Sequence, residues 1–191
     1  MSDTPIDVFI DLPSFPGPVQ AGRLWSHFRK GRESASFEYN KEWLANPHRF
    51  ALEPLLPLAD GTFHTNPGQS VFGAIGDSTP DRWGRILMRR AELARARTAN
   101  ESPHTLSELD YLLRVNDEAR QGALRFSQDG GQSFCAPPGS TPIPPLVNLS
   151  RLLHAADHFC RDDENAEDLR LLLAPGSSLG GARPKASVKD K

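Results

Sequence analysis

The chain has 191 residues, 38% of them hydrophobic, and 22 Lys and Arg stand against 24 Asp and Glu for a net charge of −2. That length suits one ordinary domain, or one with a smaller appendage, and the apolar share is enough for a real core. The charge balance gives no whole-molecule pull towards nucleic acid or an anionic membrane, so any such partner must be met by a local patch.

The opening MSDTPIDVFIDLPSF has no basic stretch, and its apolar run Val8-Phe9-Ile10 is too short for a secretory signal or a membrane span, which predicts a cytoplasmic protein with no membrane partner. Ile6, Val8, Ile10 and Leu12 alternate at period two, and Phe37-Glu38-Tyr39 and Thr62-Phe63-His64 predict further short strands. The first third is therefore read as a small sheet. Lys41 to Ala45 predicts one helical turn, stopped by Asn46-Pro47 because proline disfavours helical geometry in the residue before it.

The clearest helix is predicted from Pro80 to about Arg97, with Thr79 as N-cap and Asp81 facing the positive end of the dipole. Trp83, Leu87, Ala91 and Ala94 fall near one face, the pattern of a helix packed on a sheet. The same helix carries Arg82, Arg85, Arg89, Arg90, Arg95 and Arg97 against only Asp81 and Glu92. Such a face is either solvated with some ion pairing or a contact for phosphates, and the lack of interleaved aromatic residues favours the first. Ser78 beside this helix reads as cap chemistry rather than as part of a hydrolase constellation with Asp77 and Asp110.

A shorter helix is predicted over Leu106 to Leu113 and a strand over Gly122 to Phe126. From Ala136 to Pro145 half of the residues are proline, which marks a linker or exposed loop. Leu149, Leu152, Leu153, Ala156 and Phe159 give a helical face, and Glu167 to Leu173 a further turn or two. His154 and His158 stand at helical i, i+4 spacing, but no glutamate follows His154 as a zincin motif requires, and Phe159 points to a packing helix. Cys135 and Cys160 are the only cysteines and complete no ligand cluster, so neither zinc nor a disulfide scaffold is predicted. The run Asp162-Asp163-Glu164 reads as a solvated helix end.

The end of the chain, Ala174 to Lys185, is small, polar and glycine-rich. Glycines let backbone amides approach phosphate oxygens closely, with a lysine nearby for charge. The generic patterns fail, however: Gly176 leads to Gly181 followed by Ala182, which is no Walker loop, and G-x-G-x-x-G is absent. On composition alone a flexible tail is the simpler reading.

The run SSLGGARPKAS at 177–187 resembles the phosphate loop of HipA-like kinases. FGAIGDSTPDRWGRILMRR at 72–90 and DEARQGALRF at 117–126 resemble the same family, and GRLW at 22–25 with SFEYNKEWL at 36–44 resembles its N-terminal subdomain. Together they follow the family's order across nearly the whole chain. The resemblance implies an α+β fold. Residues 1–127 would form a small, mostly β N-terminal subdomain with the long Arg-rich helix, 128–147 a Pro-rich linker, and 148–191 the start of a kinase-like N-lobe.

Gly180, Gly181, Ala182, Arg183 and Lys185 would match the loop over the ATP phosphates, with Arg183 in place of the family's common Gln. Ser178, or Ser177 one register away, would match the loop serine that family members autophosphorylate. The family uses ATP and Mg²⁺ to phosphorylate protein serine or threonine, and its catalytic and metal-holding aspartates lie well downstream of the loop. The chain stops six residues after Lys185. The resemblance therefore implies a toxin portion of a type II toxin–antitoxin system that is inactive alone and binds neither ATP nor Mg²⁺ tightly. The alternative is a standalone regulatory, antitoxin-like module that binds a separately encoded kinase core. The implied partners are that core or a HipB-like DNA-binding antitoxin, with operator DNA met indirectly and Arg82, Arg85 and Arg89 as a basic contact face.

Overall fold

The computed structural model describes residues 5–115, 117, 120–134 and 149–176. The fold is α+β. Five strands make one antiparallel sheet: β1 (Ile6–Ile10), β2 (Val19–Arg29), β3 (Arg32–Tyr39), β4 (Thr62–His64) and β5 (Leu124–Ser127), in the order β4-β3-β2-β1-β5. The helices are α1 (Lys41–Ala45), α2 (Gly73–Gly76), α3 (Arg82–Ala99), α4 (Glu108–Arg114), α5 (Leu149–Cys160) and α6 (Ala166–Gly176). The molecule divides into two compact units, one holding the described residues of 5–78 and 121–134 and the other those of 79–120 and 149–176.

In the sheet unit the period-two pattern sorts side chains cleanly. Ile6, Val8, Ile10, Leu24, Phe37, Tyr39 and Phe126 share one face and are buried. The segment after β3 closes over this face. The Tyr39 hydroxyl donates to the Leu56 carbonyl at 2.7 Å and accepts from the Leu52 amide at 3.0 Å. Trp43, fully buried on α1, stacks edge-on against Phe50 (5.4 Å) and Phe15 (6.0 Å). α2 has no side-chain cap of its own; Glu53 Oε2 accepts its Ala74 amide at 2.7 Å instead. β2 and β3 join through Lys30-Gly31, both at positive φ (50° and 75°), as a two-residue type I′ hairpin turn requires.

In the helical unit α3 is the axis. Trp83 and Leu87 pack with Leu152, Ala155 and Phe159 of α5 and Leu169 and Leu172 of α6, while Met88 packs with Tyr111 of α4 and with Val115. The helix expected to lie on a sheet lies among helices. Trp83 and Leu87 are on the buried face as expected, but Ala91 and Ala94 are only half-buried, and Met88, Glu92 and Ala96 complete the buried stripe. Its N-cap is Asp81 rather than Thr79: the Asp81 side chain accepts the Gly84 amide at 2.8 Å, so the helix begins two residues after Pro80. Asn100 ends it in the left-handed region, with the Glu101 amide reaching back to the Ala96 carbonyl at 2.8 Å. No helix among the described residues is long and apolar enough to cross a membrane.

Candidate functional site

Arg82, Arg85 and Arg89 recur at three- and four-residue spacing and so share a stripe of α3. Arg85 is committed internally. Its Nη1 and Nη2 donate to Glu108 Oε1 (2.5 Å) and Oε2 (2.7 Å), Nη2 also to Thr79 Oγ1 (3.0 Å), Nε to the Pro80 carbonyl (3.0 Å), and the guanidinium lies 4.7 Å over the Tyr111 ring. A bidentate, ring-stacked arginine is a clamp between the start of α3 and α4. Arg82 and Arg89 are exposed, and neither is ion-paired to a described residue. The open part of the basic face is therefore those two positions.

Of the remaining charges of α3, Arg97 is exposed and ion-paired to no described residue, whereas Arg90, Glu92 and Arg95 are paired. Arg90 lies 3.9 Å over the Phe159 ring and donates to the Phe159 carbonyl, to Asp162 Oδ1 (2.6 Å) and to Glu164 Oε1 (2.9 Å). Asp162 and Asp163 are exposed, as expected of a solvated helix end, but Asp162, at φ 60°, and the mostly buried Glu164 also tether Arg90. Glu92, only 2% exposed, accepts from Arg95, from Arg114 (3.1 Å) and from the His104 amide (3.2 Å). Chiefly the Arg95 hydrogen bonds, opposed by burial, hold its carboxyl down at about 2.

His154 and His158 lie with ring centroids 4.1 Å apart, tilted 58° to one another, and His158 Nδ1 sits 2.9 Å from Asp168 Oδ2. That hydrogen bond raises the His158 pKa. Burial pushes Asp168 up, but the His158 bond and the Asn165 amide outweigh it and the net direction is down. Asp168 and Asn165 also form a reciprocal cap on α6, as Ser107 and Asp110 do on α4. Asp110 is thereby a capping carboxylate. Both pairs are legible in the sequence as polar-x-x-acid signatures before helical stretches.

Ser78 is buried and lines an open pocket of about 350 Å³ in the sheet unit, with Ile10, Leu52, Asp77, Ala123 and Leu124 among its walls. The cap of α3 is Asp81, not this serine. Ser178, Gly180, Gly181, Ala182, Arg183 and Lys185 lie outside the described residues, as does most of the Pro-rich segment. Within 148–191 the described stretch 149–176 consists of α5, α6 and the turn joining them.

The profile of a family described as HipA N-terminal domain matches residues 17–127, from the approach to β2 to the last residue of β5, including α3 and its open arginines. No curated protein sequence matches the chain.

Proposed function

The chain belongs to the HipA N-terminal domain family, and from that premise we propose that it is the partner-contacting module of a HipA-type serine/threonine kinase toxin within a toxin–antitoxin pair. The observation that carries this reading is the family match across 17–127. Residues 1–191 by themselves do not transfer phosphate: phosphoryl transfer needs carboxylates free to hold Mg²⁺ and to orient the nucleophile. The buried acids among the described residues, Asp7, Glu92 and Asp168, each accept hydrogen bonds from neighbours in the fold. ATP and Mg²⁺ are then the business of a kinase core, and the glycine-rich run at 177–187 is that core's phosphate loop.

The test mixes the purified chain with a HipA-type kinase core lacking its own N-terminal domain and follows co-purification and incorporation of radiolabelled phosphate. Association is expected. Raised phosphorylation identifies a toxin part, and lowered phosphorylation a restraining, antitoxin-like module. Absence of any association overturns the proposal, and labelling of the isolated chain that Ser178→Ala abolishes overturns its inactivity.

A further inference from the structure

The sheet has a second face, opposite the buried one. On β2 it carries Arg23, Trp25, His27 and Arg29, four residues at period two, and the pairing of β2 with β3 is regular from Gly22 to Arg29, so all four share that side. The His27 ring, 2.7 Å from Ser36 Oγ, lies on the same side by register. Near β1 and β5 this face is occupied, because Phe9 is covered by Phe134 (5.4 Å). Arg23 is also spoken for, through Asp7 at 2.9 Å.

From Trp25 to the hairpin turn the situation differs. Arg29 stands directly across from Arg32, both are exposed, and neither is ion-paired to a described residue. Like charges directly opposite destabilise a strand pair. Lys30 in the turn adds a third cation; Glu33 pairs with Phe28 on the other face, and Glu38, the acid of β3 on this face, stands across from Arg23 rather than from Arg29. Trp25 and His27 are half-buried and follow these cations along the same face of β2, at every second position away from the turn. α3 lacks interleaved rings; β2 has them.

We propose that this face of the β2–β3 hairpin binds single-stranded nucleic acid, with Trp25 and His27 stacking on bases and Arg29, Lys30 and Arg32 meeting the phosphates. The cations clustered at the turn account for an anion, and the rings at every second position beside them account for one with flat bases. The probe is nucleic acid alone, so this proposal and the association with a kinase core are read out separately and either can fail alone.

The probe is a short oligouridine or oligothymidine, titrated at low salt while tryptophan emission is followed. Trp43 and Trp83 are 0% and 2% exposed, so quenching reports Trp25. Quenching is expected, with affinity falling at least tenfold in the double variant Arg29→Glu/Arg32→Glu and the salt dependence shallower by about 0.7 for each phosphate that is no longer neutralised. Arg97→Glu, at the exposed end of α3, keeps wild-type affinity. Because both hairpin arginines are exposed, the double variant retains the wild-type circular dichroism spectrum. No binding at low salt, an unchanged affinity in the double variant, or equally tight binding of duplex DNA or polyglutamate each overturns the proposal.

Discussion

Gly22 marks the tightest approach in the sheet: a Cβ built there would stand 2.1 Å from the Glu38 carbonyl oxygen and 2.5 Å from the Phe37 ring. Backbone cannot give way as a flexible side-chain end can. Gly22→Ala is therefore expected to destabilise the protein by about 1–3 kcal/mol in chemical denaturation, despite the higher strand preference of alanine. Glu92 is the second sensitive residue. Its folded pKa lies below its unfolded one, so its contribution is full above the unfolded value and is lost as pH falls through the folded value near 2. Glu92→Gln is expected to cost roughly 1–3 kcal/mol at neutral pH and to flatten the loss of stability that the parent shows between about pH 5 and pH 2, read from melting curves. In the sequence Gly22 lies where no strand is predicted, so its close approach is not visible there. Glu92 looks there like a minor offset among arginines, because its partners Arg114 and the His104 amide come from beyond the helix.

At the scale of elements, helix ends are legible in the sequence to within a few residues and their chemistry less so. Two rules compete at the start of α3: proline in a first turn, and a short acid accepting an amide three residues on. Asp81 wins. Asp81→Ala is expected to lower stability by about 1 kcal/mol, whereas Thr79→Ala, which removes an acceptor for the already well-bound Arg85, should change it less; paired denaturation curves decide. β2 is the longest strand and the one no alternation announces, because its paired faces are basic with rings on one side and small or apolar on the other. Phe37 to Tyr39, in its neighbour β3, and Thr62 to His64, in β4 beyond it, are strands as expected, since each alternates within a short span. The cover of α3 differs from expectation for another reason: an apolar stripe states that something packs on it, not whether that is a sheet or helices.

Across the whole molecule, the α+β class and the family are within reach of sequence, as four motifs in order. The units are not. Each is assembled from two separated stretches, and no local signal says that 121–134 returns to the sheet begun at Ile6. Arg82 and Arg89 are open cations near the start of the family-matched region's long helix. Reversing both to Glu is expected to weaken capture on an antitoxin–operator complex several-fold without altering the melting temperature; unchanged capture would leave them as solvated side chains. The return of β5 to β1 has a further consequence during synthesis. β1 leaves the ribosome early, yet its outer edge meets its strand partner only after all of α3 and α4 has been translated, an interval on the order of ten seconds at ordinary elongation rates. Throughout that time a five-residue, mostly apolar strand offers unpaired amides and carbonyls to any other nascent chain. Crowded polysomes are where this protein is most exposed to misassembly, and slowing translation before Leu124 should lower its soluble yield.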